Sequence, residues 1–333
     1  VYAGNREEEF VDRIRGLSYE EIAARGGGIL NSARRLGLSS EDEIYEQSSK
    51  RLKEIMQLGT GAVEIKSGYG LTTESELKML RVIKRLAEAY PIDIKDTFLG
   101  AHAFPELFRD SPDEYVDLIC DEMIPKVAQA DLAEFIDAFC EKGYFSVDQT
   151  QRIMERGQEF GLVPKILVNQ FNSIGGIQAA IESKALTVDH LEVMTEQDFI
   201  DLERSEVMPV ALPSCSYFLS IPYTPARQMI DRGMPLAIAT YFNPGSTPSG
   251  NMNFVLSTAC IKMRLTPEEA INAATINGAY AMNLSGSLGS ITRGKLANLI
   301  LTREIPSYGF LPYAFGSNHI ERVMIRGEFL PEE

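Results

Sequence analysis

Ala237-Ile238-Ala239-Thr240-Tyr241-Phe242-Asn243-Pro244-Gly245-Ser246-Thr247-Pro248-Ser249-Gly250 is a short apolar run that stops at Thr240, then a loop rich in Asn, Pro, Gly and Ser. A helical pattern follows, so the order reads as strand, loop, helix. In a repeated βα architecture the loop beyond a strand's C-terminal end is where ligands sit. Gly245 lets a backbone come close to a ligand, and Asn243, Ser246 and Thr247 bring short hydrogen-bonding groups. An ordinary turn would carry the same residues, so the choice depends on whether the unit repeats along the chain.

It does repeat. Gly61–Lys66 reads as a strand ending in Ser67-Gly68-Tyr69-Gly70, and Thr73-Glu74-Ser75-Glu76 opens a helix to about Tyr90. Ile92–Leu99 is the next strand, ending in Gly100-Ala101-His102-Ala103, and Ala133–Cys140 is another. Ser146-Val147-Asp148-Gln149 is a capping box that starts a helix to about Phe160. Val163–Val168, Leu186–Val188, Val207–Leu212 and Pro235–Thr240 complete the series. Strands alternating with helices imply a parallel sheet, and runs that are apolar throughout suit strands buried on both faces. The expected fold is α/β: a TIM-type (β/α)8 barrel with a small β domain. The chain starts at Val1 in what looks like a strand exit, so strand one and the N-terminal part are read as missing. A doubly wound open sheet is the alternative; no GxGxxG follows the first strand, which leaves dinucleotide binding little support.

Outside the strands, Glu7-Glu8-Glu9-Phe10 is an acidic first turn suited to a helix start, and residues 39–57 form an amphipathic helix. Thr266-Pro267-Glu268-Glu269 is a second capping box with proline at the first helical position, heading a helix to about Leu284. Beyond it Gly286–Ile291, Asn298–Thr302 and Ile320–Ile325 read as short strands. The expected division is a barrel domain over 1–284 and the remainder of a small β domain over 285–333.

With 333 residues, 44% of them hydrophobic, the chain can bury a sizeable core. A net charge of −15 argues against a nucleic-acid partner, which needs a basic face. No apolar run approaches membrane-spanning length and no signal peptide is visible. Cys120, Cys140, Cys215 and Cys260 are scattered without CxxC spacing and read as reduced core residues of a cytoplasmic protein. The partner expected is a small molecule, with a homodimer as a compatible assembly.

Polar residues gather at the strand ends: Tyr69, His102, Asn169, Gln170, Asp189, His190 and Asn243. A barrel would turn them all toward one mouth. Arg6, at a loop-to-helix junction, is placed to fork onto a carboxylate, with an ordinary surface arginine as the plain alternative. His102 and His190 read singly as structural histidines; two at strand ends favour a site. His319 lies in the tail. Asp189 could orient His190 for proton transfer, although adjacent strand residues face opposite ways. No Gly-x-Ser-x-Gly elbow is present, which leaves hydrolysis by a metal-activated water, or a binding pocket without chemistry. A zinc-type site draws three or so ligands to one point, and the mouth offers only His102 and His190, with Asp189 as the candidate third.

Ala3-Gly4-Asn5-Arg6-Glu7-Glu8-Glu9-Phe10, Glu64-Ile65-Lys66-Ser67-Gly68-Tyr69-Gly70-Leu71, Thr97-Phe98-Leu99-Gly100-Ala101-His102, Phe139-Cys140-Glu141-Lys142-Gly143, Asp189-His190-Leu191 and Phe242-Asn243-Pro244-Gly245-Ser246 together resemble the imidazolonepropionase family of the amidohydrolase superfamily. The likeness spans nearly the whole chain, and Gly286–Ile300 looks like the general amidohydrolase ending. The resemblance implies a (β/α)8 barrel with a small β domain built from both chain ends. It implies hydrolysis of the ring amide of 4-imidazolone-5-propanoate to N-formimidoyl-L-glutamate in histidine breakdown. It implies that Arg6 grips the propanoate carboxylate, and that Tyr69, His102, Gln170, Asn243, Gly245 and Ser246 bind substrate. Gln170 would contact the imidazolone ring, where many relatives have Glu, and His190 would orient or shuttle a proton around the attacking water. It implies one divalent metal, zinc or iron. The ligands would be a His-x-His pair lying before Val1, a histidine at the position of Leu167 and an aspartate at the position of Tyr241. No ligand position is intact, so this chain is not expected to bind that metal. A catalytically inactive relative that holds small anionic ligands, and another amidohydrolase of deaminase or dihydroorotase-like kind, are the other readings.

Overall fold

The computed structural model describes residues 1–17, 21 and 27–331. Seven strands form one sheet in sequential order: β1 (Ala62–Lys66), β2 (Asp93–Ala101), β3 (Phe135–Cys140), β4 (Val163–Val168), β5 (Thr187–His190), β6 (Met208–Ala211) and β7 (Ala237–Ile238). Every neighbouring pair is parallel. Helices connect each strand to the next, which is the TIM-type arrangement expected from the repeated unit.

The two faces of the sheet are filled differently. Ile65, Phe98, Ile136, Ile166, Val168 and Val188 pack outward against helix residues such as Leu80, Ile83, Val116, Ile153, Met154 and Phe199. The inner face carries charge. Lys165 Nζ donates to Glu64 Oε2 at 2.6 Å and to the Ala281 carbonyl at 2.7 Å. Lys66 Nζ donates to Asp137 Oδ2 at 2.5 Å and to Asp189 Oδ2 at 2.7 Å. Thr97 Oγ1 and Thr187 Oγ1 donate to Glu64 and Asp189. The strands tolerate buried ions because each ion has a partner. Above these pairs an apolar layer of Leu99, Phe139 and Leu167, with Tyr144 and Tyr241 against it, forms the floor of the mouth.

Helix starts follow the sequence signals. Ser40 with Glu43, Ser146 with Gln149 and Thr266 with Glu269 close reciprocal capping boxes, as does Thr195 with Asp198. Among the described residues no helix is long and apolar enough to cross a membrane.

The tail forms an antiparallel sheet of β8 (Leu299–Thr302), β9 (Ile320–Ile325) and β10 (Glu328–Phe329). Ile320, Val323 and Ile325 pack with Leu36, Ile44, Leu52 and Met56, so this sheet rides on the outer helix layer. Asn298 Nδ2 ties it to the Gly61 carbonyl at 2.7 Å. Two expectations fail here. Gly286–Ile291 is turn, not strand: Leu288 plugs into the core, and Gly289, at φ +87°, leaves no room for a Cβ beside Ala279. The helix from Thr266 does not run on to Leu284. It breaks at Thr275 (φ −114°, ψ −83°) into Pro267–Ala274 and Ile276–Ala281, which lets Ala281 turn its carbonyl to Lys165.

Candidate active site

The strand exits are strained. Asn169, His190, Leu191 and Tyr241 all have positive φ, at +57°, +87°, +67° and +55°. Non-glycine residues held there cost energy, and such strain gathers at functional sites. The strain settles how Asp189 and His190 divide the work. Asp189 keeps its strand direction and faces inward to Lys66 and Thr187. His190 leaves extended geometry, and its ring lies 6.2 Å from Phe139 and 4.9 Å from Tyr241. Asp189 and His190 turn to different partners, as neighbours on a strand are expected to, and Glu192 Oε1 faces His190 Nδ1 at 3.2 Å.

Across the mouth, His102 Nδ1 lies 2.8 Å from the Gly68 carbonyl. A carbonyl only accepts, so Nδ1 carries the proton and Nε2 is an acceptor. Burial pushes the His102 pKa down to about 4, so the ring is neutral near pH 7. The Tyr69 ring meets His102 edge-on at 5.3 Å, and burial raises the Tyr69 phenol above its ordinary range. Glu76 builds the loop that carries Tyr69. Its carboxylate, 0% exposed, accepts from the N–H groups of Gly68, Gly70 and Leu71. Glu141 does the same after β4, accepting from the Phe171 and Asn172 N–H groups. Gln170, on that loop, directs Nε2 at Cys215 Sγ across 3.8 Å.

Arg6 caps α1 (Glu7–Ile14) and is no surface arginine, its side chain being 11% exposed. Nε and Nη2 donate to Glu9 Oε2 at 2.8 and 2.5 Å. Nη1 lies over Gly245, where a Cβ would fall 2.1 Å from it. Arg13 Nη2 donates to the Gly245 carbonyl at 3.2 Å, so two guanidinium groups bracket this glycine. Asn243 and Ser246 are occupied with each other. Asn243 Oδ1 accepts from the Gly245 and Ser246 N–H groups, and its Nδ2 donates to Ser246 Oγ and the Tyr241 carbonyl. They shape the turn that presents Gly245, where the sequence reading had them meeting a ligand.

Glu76, Glu141, Glu192, Arg13 and Cys215 carry parts of the site that strand-end reasoning missed. Glu76 reads as a helix start and Arg13 as a helix surface. Cys215 lies inside the helix that follows β6, Pro213–Leu219, and reads as a core cysteine. An open groove lined by Lys84, Asp93, Lys95, Asp96, Asp131 and Glu134 sits at the opposite, N-terminal end of the strands and shares no residue with this mouth.

Residues 169–330 match the Amidohydrolase family. An adenosine deaminase from Xanthomonas campestris with bound zinc superposes with a TM-score of 0.69, at 16% identity, over 88% of this chain and 71% of that one. A triazine hydrolase variant superposes with a TM-score of 0.74, at 15% identity, over 95% and 77%. The fold is thus of the amidohydrolase kind. Imidazolonepropionase of Flavobacterium johnsoniae is 68% identical over 99% of this chain and 80% of its own length. That of Christiangramia forsetii is 66% identical over the same shares. The chain belongs to the imidazolonepropionase family.

Amidohydrolase membership and the zinc-bound neighbour suggest a divalent metal. The side chains at positions 167 and 241 do not fit one. Leu167 has no donor atom and is packed with Leu99 and Phe139. Tyr241 offers a phenol that burial holds well above its ordinary range, so it stays protonated.

Proposed function

We propose that this chain keeps the substrate recognition of imidazolonepropionase, whose reaction is hydrolysis of the ring amide of 4-imidazolone-5-propanoate to N-formimidoyl-L-glutamate in histidine breakdown, and binds these small anions without turning them over. The family's expected cofactor is zinc or iron. In this chain the mouth performs recognition, and Leu167 and Tyr241 leave the metal without its strand-end ligands. A cytoplasmic setting and a homodimer, away from nucleic acid and membrane, belong to the same proposal.

One observation carries the reading: Arg6 Nη1 and Gly245 lie in contact at the same mouth as Tyr69 and His102. The Arg6 guanidinium, oriented by Glu9, would take the propanoate carboxylate through Nη1. Neutral His102 would accept a ring N–H at Nε2, and protonated Tyr69 would donate. Gln170 would contact the ring with its amide. His190, held by Glu192, would stand where a proton moves on or off the attacked carbon's nitrogen.

Isothermal calorimetry with N-formimidoyl-L-glutamate tests the binding, and chromatography of 4-imidazolone-5-propanoate tests turnover. Saturable 1:1 binding that Arg6→Met removes is expected, with no substrate loss beyond the rate without protein. No binding overturns the reading. Turnover overturns its metal-free part.

A further inference from the structure

His190, Glu192 and Cys215 form a second donor set beside the mouth. One ligand atom from each lies within 4.8 Å of the other two, and all three residues are buried. We propose that these three side chains bind one zinc-like divalent ion, at a place displaced from the strand-end positions 167 and 241. His190 belongs to both readings, so a bound ion takes the imidazole that the proposed proton transfer would use, while recognition by Arg6, Tyr69 and His102 stands or falls separately.

Protein hydrogen bonds serve only half of the cluster. His190 Nδ1 meets Glu192 Oε1 at 3.2 Å, and Ser216 Oγ donates to that same oxygen at 3.4 Å. Among the described residues His190 Nε2 and Glu192 Oε2 are buried with no partner, and both side chains are 0% exposed. Two orphaned polar atoms in one buried cluster are costly, and a bound cation removes that cost. The backbone is strained at the same place, at His190 and Leu191. The Thr224 hydroxyl donates to the His190 carbonyl at 2.6 Å, which holds the backbone at this strained residue.

The donor set selects the ion. Imidazole, carboxylate and thiolate together suit zinc or cobalt; magnesium and calcium prefer oxygen alone. Ligand atoms around tetrahedral zinc sit roughly 3.3–3.8 Å apart, given bonds of about 2.0–2.3 Å, so a small contraction closes the present set. On binding, the Cys215 S–H bond breaks, a metal–sulfur bond forms and the proton leaves to solvent. Carboxylate and thiolate then neutralise the dication, which a buried site requires. Gln170 Nε2, 3.8 Å from Cys215 Sγ, and Ser246, hydrogen-bonded to the same thiol, are the polar neighbours of the cluster on the mouth side.

Cobalt titration of the full chain tests the proposal, because thiolate ligation gives a sulfur-to-cobalt band in the near ultraviolet. One cobalt per chain, retained through gel filtration and displaced by zinc, is expected. Cys215→Ser should abolish the band and Cys260→Ser should leave it unchanged. Glu192→Gln should weaken cobalt binding about tenfold or more. Far-ultraviolet circular dichroism of each variant confirms folding, and the Cys260→Ser and Glu192→Gln results stand even where Cys215→Ser does not fold. A wild-type chain that neither retains cobalt nor shows the band overturns the site. So does a band that survives in folded Cys215→Ser or vanishes in Cys260→Ser.

Discussion

The inner face of the barrel and the mouth above it bury charged and polar groups a few ångströms apart, in opposite states of completion. Inside, Glu64, Lys66, Asp137, Lys165 and Asp189 all have partners at 2.5–2.7 Å. The Lys66 ammonium, held between two carboxylates, stays charged well above its ordinary range. At the mouth, His190 Nε2, Glu192 Oε2 and Asn169 Oδ1 are buried without partners among the described residues, and four strand-exit residues have positive φ. Completed pairs hold a structure together; unfinished ones wait for something to finish them. Substitution should therefore cost stability below the floor of Leu99, Phe139 and Leu167, and ligand affinity above it.

The largest effect tests the lower half. Lys165→Met strands the Glu64 carboxylate in the barrel, and removing one member of a buried pair costs about 3–5 kcal/mol. The urea midpoint should fall accordingly. Adding Glu64→Leu should recover most of the loss, since an apolar pair of similar volume removes the unpaired charge. An unchanged midpoint in Lys165→Met would erase the contrast between the two regions.

Next comes His102, which belongs to the mouth yet leaves a mark on stability. Its folded pKa of about 4 lies below the ordinary 6.5, so the unfolded chain binds the extra proton between those values. Its contribution is complete above pH 6.5 and shrinks as pH falls toward 4, by about 3 kcal/mol in all. Unfolding free energies of wild type and His102→Asn, measured from pH 7 to 4, should converge by that amount. A pH-independent difference between the two would mean that His102 is not desolvated.

Much of this was legible in the chain. Apolar runs broken by Gly, Asn and His gave the seven parallel strands and their exits, because strands buried on both faces cannot look otherwise. Capping boxes at Ser146 and Thr266 marked helix starts to the residue, since their chemistry is local. What escaped was non-local. Glu141 serves a loop thirty residues on, and nothing beside it in sequence announces that. His190 turns into the mouth only because its φ is +87°, which a period-two reading forbids. Gly286–Ile291 has strand-like composition, but Gly289 at φ +87° and the Leu296 N–H on the Ser287 carbonyl close it into a turn. Asn243 and Ser246 spend polar atoms on the turn itself, a use that only the folded loop reveals.

The finest test falls on that turn. Gly245 has an ordinary backbone conformation, so alanine meets no φ penalty there, only the Arg6 guanidinium 2.1 Å from its Cβ. Gly245→Ala should push Arg6 aside without touching the barrel. Affinity for N-formimidoyl-L-glutamate should drop about tenfold, or about 1.4 kcal/mol, while the urea midpoint stays near wild type. Calorimetry beside unfolding separates the two readouts. A variant that loses stability but binds as before would place Arg6 among the structural pairs with Glu9, and the mouth would have to seize its acid through Arg13 instead.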